Sequence, residues 1–304
     1  MARLAKSFGR SAAWCLVAFV ALVGRAGAID KNYSFSIEPQ GSGKEYALVA
    51  RNDGPAPVLA QVTFTELDNA LCDAGSKFHV VVPPRSERAV ARISATTPGG
   101  QQAFRFTYRW RLGDPQATHR PDALYRLPFA EGLSFSIIQG PGGFLSTHSE
   151  GGQEWAVDIP MPVGTPIVAA RQGVVVEAID EFGEGGTDTA FMSKTNYVRV
   201  LHSDGTFATY AHLLQDSLKV RIGDRVKAGT VLALSGNSGY SSGPHLHFAV
   251  ERNDGQRIVS VPFRFYNSAQ GAFSPEYGLR VTSDYYPSAE FAAETPSTAV
   301  GGMR

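Results

Sequence analysis

The sequence predicts an all-β protein, and two features of the chain lead to this prediction. Short segments rich in β-branched and aromatic residues recur along the chain, and apolar and polar positions alternate within them. Turn sequences separate these segments, among them Asn52-Asp-Gly54, Ser203-Asp-Gly205 and Lys227-Ala-Gly229. Short strands at such spacing are typical of antiparallel sandwiches and barrels.

The first 28 residues predict a secretory signal peptide. Basic residues precede the apolar run 12–23, which is too short to cross a bilayer, and Ala26-Gly-Ala28 is a small-residue cleavage sequence. Cys15 lies inside the apolar run and not at a cleavage point, so we expect no lipid anchor. A buried N-terminal helix is the alternative. We therefore expect a mature chain from Ile29, exported to the periplasm or the extracellular space, without a membrane anchor.

The charge balance and the cysteines narrow the range of functions. Lys and Arg number 28, as do Asp and Glu, and the predicted signal peptide holds four of the bases and no acid. Its removal leaves 24 basic and 28 acidic residues, a net charge of −4. Because binding of nucleic acid favours a basic surface, this charge argues against a nucleic-acid partner. Cys72 is then the one remaining cysteine, which excludes an intrachain disulfide and predicts a small buried residue.

The mature chain divides into two predicted domains. Residues 29–112 contain six alternating segments and predict an accessory β-sandwich, immunoglobulin-like by analogy, without a catalytic group of residues. Residues 113–126 are rich in turn signals and predict a linker. Residues 127–268 form the second domain, and residues 269–304 are expected to be a weakly ordered tail.

The second domain has the pattern of an antiparallel barrel-sandwich hybrid. The segments 164–178 and 223–236 resemble its two halves, each with apolar strands around a hairpin turn. Lipoyl and biotinyl carriers share this architecture, but they need a modifiable lysine in a characteristic motif at a hairpin tip. The sequence has no such motif, which disfavours a carrier function.

A glycine-rich run at residues 235–248 carries the strongest chemical signal. It leads into a predicted strand that begins with His245-Leu-His247. Because side chains alternate along a strand, His245 and His247 share one face, while Leu246 and Phe248 share the other. Imidazole is the commonest protein metal ligand, although a His-x-His pair alone is a weak signal.

With three further segments, this run resembles the signature of the lysostaphin-type (LytM-like) zinc metalloendopeptidases, which cut peptide bonds in peptidoglycan. The segment from Ala156 through Asp158 to Pro166 resembles the family's aspartate segment, and Thr209-Tyr-Ala-His212-Leu213 resembles its central histidine strand. Upstream, Ser146-Thr-His148 supplies a further histidine. The resemblance covers residues 127–265. It implies a zinc-dependent hydrolase of peptidoglycan stem peptides or cross-links, and leaves the bond and the oligomeric state open.

The resemblance also implies roles for individual residues. Asp158 and His247 correspond to zinc ligands, and His212 and His245 to catalytic residues beside the zinc-bound water. We expect His245 to be the base and His212 to donate to the oxyanion, an order that the sequence does not fix. Each of these residues, taken alone, also has an ordinary structural explanation, such as a turn or a polar strand end.

The first ligand departs from the family pattern. That pattern places a histidine four residues before the aspartate, where this chain has Glu154, while His148 stands ten residues before Asp158. A carboxylate can bind zinc, but two carboxylates would offset its charge and make the bound water less acidic. Gly151-Gly152 gives the segment freedom to fold back. We therefore expect His148 as the third ligand, with Glu154 as the alternative.

A second function remains open from the sequence. Metal-free relatives of the same fold bind peptidoglycan or activate a partner hydrolase, and they typically lack one or more ligands. This chain retains Asp158, His212, His245 and His247, which favours the enzyme.

Overall fold

The computed structural model describes residues 33–42, 45–141 and 152–285. Within these ranges the chain consists of strands, turns and one short 3-10 segment, Thr189–Phe191, without an α-helix. The all-β prediction is confirmed. No helix within these ranges has the length and apolar character needed to cross a membrane. The predicted signal peptide lies outside the described residues.

Seven strands form the N-terminal domain over the described residues 33–42 and 45–112. They are β1 Phe35–Ser42, β2 Glu45–Asn52, β3 Val58–Asp68, β4 Ala70–Cys72, β5 Lys77–Val82, β6 Ser86–Ala95 and β7 Ala103–Leu112. One sheet has the order β1-β2-β6-β4, the other the order β5-β3-β7, and all pairs are antiparallel. Every strand except β4 was predicted from the alternating pattern.

The alternation of β3 and its neighbours builds the sandwich core. Ala60 and Val62 are fully buried, and Phe64 packs against Phe106 with ring centroids 5.9 Å apart. Cys72 is buried in the same core at 4% exposure, as predicted. Burial of this apolar surface is the main force that holds the two sheets together.

Sixteen strands lie in the described residues of the second part of the chain, 113–141 and 152–285. They are β8 Leu124–Arg126, β9 Ser134–Ser136, β10 Val157–Pro160, β11 Pro166–Val168, β12 Gly173–Ile179, β13 Gly185–Gly186, β14 Tyr197–Leu201, β15 Phe207–Ala211, β16 Arg225–Val226, β17 Val231–Leu234, β18 Gly239–Tyr240, β19 His245–Asn253, β20 Ile258–Ser260, β21 Arg264–Asn267, β22 Gly271–Phe273 and β23 Arg280–Thr282. The central sheet has the order β10-β19-β15-β14-β12-β16, and β20 pairs with β19.

One face of the central sheet forms the core of the second domain. Leu246, Phe248 and Val250 on β19 are fully buried, and Phe248 contacts Tyr210 with ring centroids 5.3 Å apart. The Tyr210 hydroxyl accepts a hydrogen bond from the backbone N–H of Ala170 at 2.7 Å, so this buried polar group is satisfied. The opposite face of β19 therefore carries His245 and His247, as the alternation predicts.

Two predicted boundaries need correction. The last residues of the predicted linker form β8, which pairs in parallel with β21 and buries Tyr125 completely. The predicted tail begins too early, because β22 and β23 belong to the folded domain and Val281 is fully buried where β23 pairs with β9. These long-range pairings are not visible in the local sequence. Residues 286–304 lie outside the described residues.

The two domains share an apolar contact. Val58 and Leu112 of the sandwich pack with Val176 and Phe207 of the second domain. The side-chain amide of Asn253, at the end of β19, donates to the carbonyl of Leu112 at 3.0 Å. The sandwich therefore docks on the end of the same sheet that carries the histidines.

Candidate active site

Three adjacent strands bring the predicted site residues together. Asp158 on β10 stands opposite His247 on β19, and His247 stands opposite Ala211 on the other neighbouring strand, β15. His212 follows Ala211 directly, and His245 lies two residues before His247 on the same face. Four of the five predicted site residues thus meet on one sheet face.

Asp158 and His247 form the closest pair of the site. His247 Nδ1 lies 3.0 Å from Asp158 Oδ1, and only 4% of the Asp158 surface is exposed. Burial alone would lower the pKa of His247, but the hydrogen bond and the charge of Asp158, aided by Glu251, outweigh it and raise that pKa. The pair is therefore a carboxylate and an imidazole held in direct contact.

His245 is held by the loop that precedes it. Its Nδ1 lies 2.8 Å from the carbonyl oxygen of Gly243 and 3.2 Å from the Ser241 hydroxyl. Because a carbonyl can only accept, this geometry assigns the hydrogen of the neutral ring to Nδ1. Its Nε2 is then an acceptor, and it lies 3.7 Å from Asp158 Oδ2.

His212 is held in the same way. Its Nδ1 lies 2.7 Å from the carbonyl oxygen of Ser238, which again assigns Nε2 as the acceptor. Its ring centroid is 4.5 Å from that of His245 and 6.1 Å from that of His247. Burial, followed by the charges of these two rings, lowers the pKa of His212 to about 3. His212 is therefore neutral at physiological pH.

The first predicted ligand remains a prediction. His148 lies outside the described residues, and Glu154, the alternative, has an exposed side chain on the turn before β10. Over residues 33–42, 45–141 and 152–285, no group of three or more His, Cys, Asp or Glu side chains is arranged to hold a metal. Of the three residues expected to be ligands, Asp158 and His247 lie among the described residues.

A buried set of charges crosses the same sheet face. Arg199 on β14 contacts the carboxylate of Glu177 and lies 3.3 Å from that of Glu251, while its Nε donates to the Thr209 hydroxyl at 3.0 Å. Gln153 donates to Glu251 at 2.8 Å. Burial would raise the pKa of Glu251, but the positive charge of Arg199 and the hydrogen bonds from Thr209 and Gln153 together outweigh burial and lower that pKa. This set ties the turn before Asp158 to the central sheet.

Several residues that contact the site were not found from the sequence. Ser238, Ser241 and Gly243 orient the two rings through the loop, and Asn196 bonds to the same loop. Serine, asparagine and glycine are ordinary turn residues, so the loop composition predicts a turn and not these contacts.

Residues 152–259 match the protein family described as Peptidase family M23. The second domain is a peptidase family M23 domain. This finding confirms the family that the histidine and aspartate motifs resemble.

Curated relatives of the M23 domain agree with this result. The chain is 37% identical over 122 residues to the glycyl-glycine endopeptidase ALE-1 of Staphylococcus capitis. This alignment covers 39% of the chain and 30% of the relative. It is 32% identical over 195 residues to lysostaphin of Staphylococcus simulans, and this alignment covers 60% of the chain and 36% of the relative. It is 35% identical over 91 residues to the peptidoglycan DD-endopeptidase ShyA of Vibrio cholerae, and this alignment covers 30% of the chain and 18% of the relative. The chain thus spans about a third or less of the length of these relatives.

Proposed function

We propose that the protein is a zinc-dependent endopeptidase that hydrolyses peptide bonds of peptidoglycan stem peptides or cross-links. The observation that carries this proposal is the contact of Asp158 with His247 at 3.0 Å, with the rings of His245 and His212 beside it. A carboxylate and imidazoles around one point are the donor set that zinc takes in catalytic sites. The M23 domain and the endopeptidase names of the relatives support the same class of reaction.

The two closest donors fit a zinc ion. Two atoms bound at about 2.0–2.2 Å to a tetrahedral zinc lie roughly 3.3 Å apart, and Asp158 Oδ1 and His247 Nδ1 lie 3.0 Å apart. We propose His148 as the third ligand, with Glu154 as the alternative. Zinc held by these residues would supply a water with a pKa of about 7 instead of about 16.

The chain's own residues would handle the protons. His245 and His212 both carry hydrogen on Nδ1, so both Nε2 atoms can accept. We propose that His245 takes a proton from the attacking water and returns it to the leaving amine, a role typically worth about 10²–10⁴ in rate. Asp158, 3.7 Å from His245 Nε2, would stabilise the protonated ring.

We propose a role for His212 that differs from the one the resemblance implies. Donation to an oxyanion needs a hydrogen on Nε2, whereas Ser238 fixes the hydrogen on Nδ1. Protonation of both nitrogens is opposed by a pKa of about 3. We therefore propose that His212 Nε2 accepts a hydrogen bond from the second O–H of the attacking water, which keeps that hydrogen, and so orients the water for its attack on the peptide carbonyl.

The alternative is a metal-free relative that binds peptidoglycan or activates a partner hydrolase. The retention of Asp158, His212, His245 and His247 in one group supports the enzyme over this alternative. Peptidoglycan as the substrate agrees with the name of the Vibrio relative. We further propose export to the periplasm or the extracellular space, consistent with a cell-wall substrate, and no nucleic-acid partner.

Two variants test the proposal. His247→Ala should lose zinc and activity together, because a ligand is removed. His245→Ala should keep zinc and lose most of its turnover, because only proton transfer is removed. His79→Ala, at an exposed position on β5, is the matched control and should behave as the original chain.

The measurements are zinc content by mass spectrometry and release of peptides from purified peptidoglycan. A purified protein that binds no zinc and cleaves nothing would support the metal-free alternative. Equal zinc loss in the His245 and His247 variants would show that their roles are wrongly assigned.

A further inference from the structure

The orientation of the His212 ring depends on two neighbouring backbone segments, the end of β15 and the loop that begins at Gly236. His212 has a φ of +63°, a left-handed conformation that is uncommon for a residue with a side chain. Such a conformation persists only where the surrounding contacts determine it. The His212 carbonyl accepts from the Gly236 N–H at 2.9 Å, and its ring Nδ1 meets the Ser238 carbonyl at 2.7 Å. The loop that begins at Gly236 must therefore be held in register with the end of β15.

Asn196 is the residue that bonds to both sides of this junction. It precedes β14 and is fully buried. Its Nδ2 donates to the carbonyl of Leu213, the residue after His212, at 3.1 Å, and to the carbonyl of Phe182 at 2.7 Å. Its Oδ1 accepts from the backbone N–H of Phe182 at 3.0 Å. Because the Asn196 side chain is itself fully buried, each of these bonds would be costly to lose.

The backbone of Asn196 extends the same connection to the loop. Its N–H donates to the Ser238 hydroxyl at 3.1 Å, and that hydroxyl donates to the Leu213 carbonyl at 2.8 Å. The Leu213 N–H in turn donates to the Asn196 carbonyl at 3.2 Å. Asn196, Leu213 and Ser238 thus form a closed set of hydrogen bonds around the two groups that fix the His212 ring.

We propose that Asn196 is a positioning residue that holds His212 in its left-handed conformation and keeps the Ser238 carbonyl against Nδ1, so that Nε2 stays an acceptor directed at the site. The tautomer part of this inference stands on the hydrogen bonds alone, and its consequence for turnover rests on the proposed function. Asn196 contacts no reacting group and acts through His212.

Asn196→Asp is the decisive variant. The aspartate has nearly the same shape, but it removes both Nδ2 donor bonds and places an oxygen against the carbonyls of Phe182 and Leu213. The chain offers a close control in Asn52, which is also fully buried and whose Nδ2 donates to the carbonyls of Ala56 at 2.9 Å and Val82 at 3.2 Å. Asn52 lies in the sandwich, so Asn52→Asp imposes a similar change away from the histidines.

The primary measurement is the ¹⁵N NMR spectrum of the imidazoles, with the His212 signals assigned by their loss in His212→Gln. In the purified original chain and in Asn52→Asp, His212 should show a protonated Nδ1 and an unprotonated Nε2. In Asn196→Asp, the two nitrogen shifts should move toward each other as the tautomers mix. An unchanged His212 pattern in Asn196→Asp would overturn the proposal.

Turnover and zinc content give the second measurement. Loss of a residue that orients a site side chain typically costs about 10–100-fold, so kcat per folded molecule should fall by that factor in Asn196→Asp, with zinc content and KM close to the original values. Equal losses of kcat in the Asn52 and Asn196 variants would indicate a general effect of destabilisation and contradict the proposal. If the original chain proves inactive, the proposed function fails, while the NMR result still decides the tautomer.

A neutral variant keeps the test available if the aspartate prevents folding. Asn196→Ala removes the same donors without adding a charge, and Asn52→Ala is its control. A His212 ring that keeps its tautomer in Asn196→Ala would overturn the role of Asn196.

Discussion

A buried histidine outside the site gives a quantitative prediction about stability and pH. His202 is only 3% exposed, its Nδ1 lies 2.7 Å from the carbonyl oxygen of Gln172, and its ring packs edge-on against Tyr125. Burial, and then the positive charge of Arg171, lowers the pKa of His202 to about 4 from its ordinary 6.5. The Gln172 carbonyl and Asp204 act in the opposite direction without outweighing them.

The sign of the effect follows from proton uptake. Between pH 6.5 and about 4 the unfolded chain binds a proton at His202 that the folded chain does not, so the free energy of unfolding falls as the pH falls. One pH unit corresponds to about 1.4 kcal/mol, so the whole interval is worth about 3 kcal/mol. Asp204, whose pKa is lowered from 3.8 to about 2, adds its own loss only below about pH 4.

His202→Asn isolates this contribution, because its amide can still donate to Gln172 and does not titrate. We expect the original chain to lose roughly 2–3 kcal/mol more than the variant between pH 7.5 and 4.5. His79→Asn, at an exposed position, is the control and should follow the original chain. Urea unfolding of the chain from Ile29 in a Trp110→Phe background measures the effect, because Trp155 is then the one remaining tryptophan and reports on the M23 domain. The same pH dependence in the original chain and His202→Asn would refute the reasoning.

Three further predictions concern the first ligand, the domain junction and export. His148→Ala should weaken zinc binding in a titration, whereas Glu154→Ala, which changes an exposed side chain, should not. Full zinc affinity in the His148 variant would instead favour Glu154 as the third ligand. Gly113→Ala should lower the free energy of unfolding by roughly 1–3 kcal/mol, since Gly113 has a φ of +94° and an added Cβ would lie 3.0 Å from that of Asn253. Unchanged stability in chemical denaturation would contradict this. The intact mass of exported material should correspond to a chain from Ile29, and a product that retains residues 1–28 would exclude the predicted cleavage.

Local pattern was sufficient to predict the strands and the face on which the histidines lie. On β19 the alternation predicts Leu246, Phe248 and Val250 on the core face, and all three are fully buried. The direction of a side chain along a strand depends on its own backbone, so neighbouring residues carry that information. The contact of Asp158 with His247 joins strands 89 residues apart. No periodicity predicts that pairing, and only the family resemblance connected the two residues.

Features set by distant contacts were wrongly predicted or missed. Residues 269–285 look irregular in sequence, yet Val281 is fully buried because β23 pairs with β9 near the start of the domain. His202 stands beside the turn Ser203-Asp-Gly205, where the local pattern indicates a polar strand end. It is buried where Arg171, 33 residues before Asp204, forms an ion pair with that aspartate at 2.8 Å. Burial of a single polar residue depends on such partners, which a local pattern does not contain.

The docking of the sandwich has a consequence for how the two domains can be separated. Phe207 begins β15, the strand that leads to His212, and Asn253 ends β19, the strand that begins at His245. A fragment cut after Gly113 would expose Phe207 and Val176 to water and leave the Asn253 amide without its carbonyl partners. The M23 fragment would then carry an apolar patch that favours self-association, on the sheet that carries His245 and His247. A shortened protein would therefore need polar residues in place of that patch to stay soluble. The full chain does not need them, because the sandwich keeps Val176 and Phe207 buried.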